Sequence, residues 1–175
     1  MRLFVGIEIN DEARAALSTA RASWERSAKA KFCDADLYHL TLAFIGNVEP
    51  ERLGDLKRTL GKVRFRPFSI KTGQADRFEK GILFAGVQEP NEGLSALQSA
   101  VAQELREDGW AMEDRPYHPH ITMAWQAEEF GTPPKIEPVT MPVRRFALFE
   151  SAQVDGRFCY TPIAHWEARD ELERI

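Results

Sequence analysis

The sequence predicts an α+β fold with antiparallel strand pairing, and three observations predict it. Segments with strand character outnumber helical ones by about seven to three. Three of those strands fall in the closing third of the chain with no helix between them. With 175 residues, 43% hydrophobic and 29% charged, the chain suits one compact domain or two small lobes sharing a core.

The elements follow in order. Leu3–Ile9 is short and rich in β-branched and aromatic residues, and Asn10, Asp11 and Glu12 then supply a cap and an acidic first turn. Ala13, Ala16, Leu17, Ala20 and Trp24 recur at helical spacing, predicting a helix that reaches Ala28 with Trp24 in the core. Leu37–Gly46 reads as the next strand. A helix then carries Leu53, Leu56 and Leu60, with Pro50 near its start and Gly61 past its end. Phe65–Lys71 and Gly81–Val87 read as strands joined by a polar segment that contains Gly73 and Asp76. The clearest helix places Leu94, Leu97, Val101 and Leu105 on one face, with Asn91 or Ser95 as cap and Gly109 as stop. Strands follow at His118–Trp125, Val143–Ser151 and Arg157–Trp166. Between the first two of these, Glu128–Pro142 holds four prolines and Gly131 and reads as a surface crossing without regular structure.

Composition narrows the function. Lys and Arg number 23 against 27 Asp and Glu, a formal net charge of −4. That argues against a general nucleic-acid coat, whose affinity comes from neutralising many phosphates, but leaves room for a local basic pocket. Cys33 and Cys159 lie far apart outside any CxxC pair, so two reduced, packed thiols are expected rather than a disulfide or zinc site. Glu8, Asp11 and Glu12 interrupt the apolar opening, and no run is long enough to span a membrane, so a cytoplasmic location is expected. No Walker lysine loop or GxGxxG turn is present.

The chemistry is carried by a duplicated pattern. His39-Leu40-Thr41-Leu42 and His120-Ile121-Thr122-Met123 both read His, apolar, Thr, apolar, about 80 residues apart, each late in a helix-then-strand unit. Because side chains alternate along a strand, each copy presents His and Thr on one face and apolar residues on the other. One such copy is explained as well by a buried His and Thr satisfying one another; the pair is not. Two facing halves would bring the copies together. Imidazole titrates near neutrality, so one histidine can act as base while the other, protonated, acts as acid. Each threonine hydroxyl can donate to a phosphate oxygen as charge develops. A phosphodiester fits between them.

With the leading strand Leu3-Phe4-Val5-Gly6-Ile7, the run His39-Leu40-Thr41-Leu42-Ala43-Phe44-Ile45-Gly46 and the segment Arg115-Pro116-Tyr117-His118-Pro119-His120-Ile121-Thr122, the chain resembles the 2H phosphoesterase superfamily. Within it, the likeness is greatest to the bacterial and archaeal RNA 2′,3′-cyclic phosphodiesterases, also called 2′-5′ RNA ligases, and it covers nearly the whole chain. The resemblance implies a bilobal α+β fold over residues 1–175. Two antiparallel sheets would carry helices outside, with pseudo-twofold symmetry around a central cleft to which each lobe lends one motif. It implies hydrolysis of a ribose 2′,3′-cyclic phosphate to a 2′-phosphomonoester without metal or other cofactor, with 2′-5′ ligation as the reverse chemistry. The partners implied are RNA ends or small nucleotides carrying the cyclic phosphate, with no membrane and no obligate protein partner. Carried over by residue, His39 is the proton donor, His120 the proton acceptor, and Thr41 and Thr122 hold the phosphate. The residues alone are symmetric on the acid and base assignment.

This chain also departs from the family pattern. Many relatives have a basic residue shortly after the second threonine, where this chain reads Met123-Ala124-Trp125-Gln126-Ala127, and a tryptophan several residues before the first motif, a position to which Phe32 is the nearest aromatic. Arg115 is a candidate for the phosphate contact, with a surface pair to Glu113 or Asp114 as the alternative. Phe44 and Tyr117 are candidates to stack on a nucleobase, with core packing the alternative for both and the favoured reading for Phe44. His118 and His120 form an H-x-H pair that with His39 could ligate a metal, but no carboxylate accompanies them at a familiar spacing. His118 is expected at the cleft entrance or surface, His165 in a structural hydrogen bond, and Lys62, Arg64, Arg66, Arg144 and Arg145 mostly as solvated edge charges. The rival from another class is a nucleotide or RNA-end binding module with the same fold and little turnover.

Overall fold

A computed structural model describes residues 1–169. Among these the chain runs β1 (Arg2–Glu8), α1 (Asp11–Trp24), β2 (Lys29–Phe32), β3 (His39–Asn47), α2 (Leu53–Leu60), β4 (Phe68–Phe78), β5 (Ile82–Val87), α3 (Glu92–Glu107), β6 (His120–Glu129), β7 (Thr140–Val143), β8 (Arg145–Val154) and β9 (Arg157–Glu167). Two antiparallel sheets result, in the orders β3-β1-β8-β9 and β2-β6-β5-β4-β7, giving the bilobal α+β architecture with helices outside. No helix among the described residues is long and apolar enough to cross a membrane.

The helices form where the apolar stripes and caps coincide. The side chains of Asn10 and Asn91 accept from the backbone N–H of Ala13 and Leu94, each at 2.9 Å, so each cap satisfies one of the orphan donors at its helix start. Ala13, Leu17, Ala20 and Trp24 are buried on α1, and Leu94, Leu97, Val101 and Leu105 on α3. The Trp24 indole donates to the Phe130 carbonyl at 2.8 Å, which satisfies its only polar atom inside the core.

Four segments differ from expectation. α1 ends at Trp24 rather than Ala28, because Lys29–Phe32 pairs with β6 as an edge strand whose two lysines are exposed. The Pro-rich crossing contains β7, which pairs with Phe68–Lys71 at the rim of its sheet, where Pro142 removes no central ladder bond. Gly73 and Asp76 do not break β4: a bulge between Thr72 and Ala75 absorbs the glycine, and the strand pairs with β7 before it and β5 after it. Cys33 is buried as expected, but Cys159 is exposed on the outer strand β9.

The two motifs sit on equivalent strand pairs. β3 pairs with β1 so that Glu8 faces His39 and Gly6 faces Thr41; β6 pairs with β5 so that Gly86 faces His120 and Phe84 faces Thr122. β3 and β6, one from each sheet, are in contact. The partner strands share a pattern as well, Leu3-Phe4-Val5-Gly6-Ile7 against Leu83-Phe84-Ala85-Gly86-Val87. At Gly6 a Cβ would lie 2.9 Å from the Leu40 carbonyl, so the close approach of β1 to the first motif requires glycine there.

Candidate active site

Both motif histidines are anchored by the same device. His39 Nδ1 lies 2.7 Å from the Leu37 carbonyl and His120 Nδ1 lies 2.8 Å from the His118 carbonyl, in each case two residues upstream. A carbonyl can only accept, so Nδ1 carries the proton in each ring and Nε2 is left as the reactive nitrogen. His39 Nε2 is 2.7 Å from the Thr41 hydroxyl.

Aromatic rings then fix each imidazole from the side. Phe4 and Tyr160 approach His39 with centroids at 4.6 and 5.1 Å, and Phe78 and Phe84 approach His120 edge-on at 5.0 and 5.5 Å. These apolar walls disfavour the charged ring. Burial pushes His39 down to about 4, with a smaller contribution from charge on His120 and partial compensation by the Leu37 carbonyl. Burial also lowers His120, with His118 adding to the effect and the His118 carbonyl opposing it. At neutral pH burial therefore favours the uncharged form of both rings.

His39, Thr41 and Thr122 line a cleft of about 700 Å³. The Thr122 hydroxyl has no hydrogen-bond partner among the described residues and is free to donate to a ligand. Cys33 supports this side of the cleft from beneath. Its N–H and thiol reach the Met123 carbonyl at 2.9 and 3.2 Å, and burial pushes the thiol up to about 12, far from a reactive thiolate.

The other sequence candidates separate. Phe44 is 46% exposed and lines the cleft with the Arg2 guanidinium 5.1 Å from its ring, so the core reading for it is overturned: a bulge turns it outward from its neighbours. Tyr117 is half-buried and donates to the Thr41 carbonyl at 2.6 Å, tying the segment before β6 to the first motif; burial raises its phenol. Arg115 pairs with Glu113 on the surface and lines a separate depression beside α3. His118 is exposed, while His165 lies 2.9 Å from Glu8. Lys62 pairs with Asp108 at 2.8 Å and Arg145 with Glu8 at 3.1 Å. Among the described residues no group of three ligating side chains is arranged to hold a metal ion.

Sequence reasoning missed the cleft's cations. Arg2, Lys31 and Lys80 line it, and no described lining residue is a carboxylate, on a chain whose net charge is −4. Lys31 stands directly across from Trp125 on the neighbouring strand, beside the stretch in which the second motif lacks a basic residue. The alternation Lys29-Ala30-Lys31-Phe32 was the available signal for that strand, and the repeated Leu-Phe-x-Gly pattern was the signal for Phe4 and Phe84.

Residues 9–155 match the 2′-5′ RNA ligase superfamily. The RNA 2′,3′-cyclic phosphodiesterase of Escherichia coli K12 is 31% identical over 167 residues, covering 94% of this chain and 95% of that protein. The crystal structure of E. coli LigT complexed with 3′-AMP superposes with a TM-score of 0.85 at 30% identity, covering 95% of this chain and 97% of the other. A Thermus thermophilus protein, TT0787, gives a TM-score of 0.76 at 27% identity over 95% of this chain and 97% of the other.

Proposed function

Because the chain belongs to the 2′-5′ RNA ligase superfamily, we propose that it hydrolyses ribose 2′,3′-cyclic phosphates, on RNA ends or small nucleotides, to 2′-phosphomonoesters without a metal. The observation that carries this reading is the pair of imidazoles anchored alike through Nδ1, on two contacting strands whose threonines line one cleft.

The chemistry needs an attacking water in line with the departing ribose 3′ oxygen. One Nε2 takes the water proton as the P–O bond forms, and the other Nε2–H delivers a proton to the 3′ oxygen as its bond to phosphorus breaks. We assign His120 as acceptor and His39 as donor. A donor whose ring resists charge is a strong acid once protonated, which suits His39. The hydroxyls of Thr41 and Thr122 donate to the non-bridging oxygens, where negative charge accumulates. A 5′-hydroxyl in place of water gives a 2′-5′ linkage through the same steps, and in water hydrolysis dominates.

The pH dependence tests this. The active form needs one charged and one neutral ring, and kcat/KM reports the free enzyme. Both histidines sit below their ordinary 6.5, so the singly charged form declines tenfold per pH unit above that value. At the acid end, protonation of both rings removes the base. The expected kcat/KM profile is a bell with its maximum below pH 6.5, unchanged by EDTA. A profile flat from about pH 5 to about pH 9, with chemistry limiting, contradicts the assignment.

A further inference from the structure

The two sheets differ beside their motifs. In the first, β3 is the outermost strand; in the second, β6 is covered by β2, so the second motif alone has a neighbour on its outer side. β2 is held there in a fixed register. Phe32 pairs with Ala124 and Lys31 with Trp125, the Cys33 N–H donates to the Met123 carbonyl at 2.9 Å, and the Cys33 thiol reaches the Met123 and Thr122 carbonyls at 3.2 and 3.4 Å. Directly opposed residues of an antiparallel pair project from the same face. Lys31 and Trp125 accordingly line the cleft together with Thr122, while Phe32 turns to the other face and packs with its ring centroid 6.5 Å from that of Trp24 on α1.

Lys31 stands apart from the cations around it. Lys29, earlier on the same strand, pairs with Glu128 at 2.6 Å, and the Arg2 guanidinium lies over the Phe44 ring. Lys80 precedes Gly81, whose carbonyl accepts from the Ala127 N–H at 3.0 Å, so it stands beside the end of β6 farther from Thr122. Lys31 is exposed and has no carboxylate partner among the described residues, and no described residue lining the cleft is acidic. Cys33, two positions on and facing the same cleft, sits level with Met123 and Thr122. Two strand positions span about 7 Å, within the sweep of a flexible four-carbon stem. On a chain of net charge −4, an unpaired ammonium in a cleft free of acids favours an anion.

We infer that Lys31 is a further catalytic residue whose ammonium meets a non-bridging oxygen of the reacting phosphate on the Thr122 side, an assignment that rests on the phosphodiesterase reading. The cyclic substrate is a monoanion. As water adds to phosphorus and its proton passes to His120, the two non-bridging oxygens together take on a second negative charge, which is relieved when the bond to the 3′ oxygen breaks and that oxygen takes the proton of His39. A cation fixed at those oxygens therefore favours the transition state over the bound substrate, and acts on kcat more than on KM. Lys31 stays protonated throughout. Its charge adds to the two threonine hydroxyls, which are neutral donors. Because β2 has no counterpart beside β3, the ammonium reaches the phosphate from the side of the second motif.

The test compares Lys31→Met, Lys31→Arg and Lys29→Met with the parent. Methionine keeps an unbranched apolar stem on an exposed edge position and removes only the charge, so the fold is retained. Single-turnover hydrolysis of a 2′,3′-cyclic mononucleotide is expected to slow about 10- to 100-fold in Lys31→Met with KM changed far less, and to recover most of that loss in Lys31→Arg. Calorimetric Kd for a 2′-phosphate mononucleotide, a dianion, is expected to weaken about two- to fivefold in Lys31→Met and to stay near the parent in Lys31→Arg. Lys29→Met removes the same charge from the same strand and, being paired with Glu128, is expected to stay within about twofold on both readouts. A Lys31→Met variant that keeps its rate, or a Lys29→Met variant that loses as much, overturns the assignment. So does a slowed Lys31→Met variant with parent-like phosphate affinity and no recovery in Lys31→Arg. Failure of the parent to turn over any 2′,3′-cyclic phosphate overturns the phosphodiesterase reading instead, and the Kd comparison still decides whether Lys31 meets a phosphate.

Discussion

Replacing His39 or His120 with Ala is expected to lower kcat on a 2′,3′-cyclic phosphate by about 10²- to 10⁴-fold, with KM changed far less. Each ring handles a different proton of one displacement, so losing either leaves the step without its acid or without its base. The double variant is expected to fall little below the worse single one, because both protons move in the same transition state. Folding should survive both changes. Each imidazole contributes one hydrogen bond to a carbonyl and is already neutral, so its removal leaves no charge unpaired. The check is single-turnover kinetics on variants whose thermal unfolding stays close to the parent. A variant that keeps its rate while retaining the fold contradicts the paired-histidine mechanism. Retained affinity for a 2′-phosphate product with parent turnover at background favours the binding module.

Replacing Thr41 or Thr122 with Val keeps the shape and the strand preference of a β-branched side chain and removes one donor each. The loss expected per hydroxyl is about 10- to 10³-fold in kcat, since a donor aimed at a phosphate oxygen strengthens as negative charge accumulates. The two should not be equivalent. Thr122 has no partner among the described residues, so its variant reports the phosphate contact alone. Thr41 also meets His39 Nε2 at 2.7 Å, so its variant frees that nitrogen and is expected to shift the pH profile as well as lower the rate. Measuring kcat against pH for both separates the roles. Equal small effects on KM and none on kcat indicate ground-state binding only.

The residues to which this chemistry is assigned are legible because they repeat. A single His-x-Thr on a strand has a structural explanation, and two copies on equivalent helix-then-strand units do not share it. Trp24, Leu97 and Val101 are equally legible, since their spacing matches the helical period and they are buried as that period requires. What escapes depends on pairing between distant segments. Lys29–Phe32 follows directly on the helical pattern that reaches Ala28, so its short Lys-x-Lys alternation becomes a strand only through the ladder with β6. β7 hides among prolines for the same reason. The core reading of Phe44 fails because it continues strand alternation through a bulge that no local composition announces. The cations escape because Arg2, Lys31 and Lys80 come from three separate segments and meet only in the folded cleft.

The proposed reaction is metal-independent opening of a 2′,3′-cyclic phosphate with the ribose 3′ oxygen leaving. Its most direct test is turnover of a 2′,3′-cyclic nucleotide in EDTA, with the 2′- and 3′-phosphate products resolved. The paired-histidine account predicts the 2′-phosphate, formed at a rate the chelator leaves unchanged and lost in the His39→Ala and His120→Ala variants. A 3′-phosphate product, or activity that disappears with the chelator and returns with a divalent cation, contradicts it.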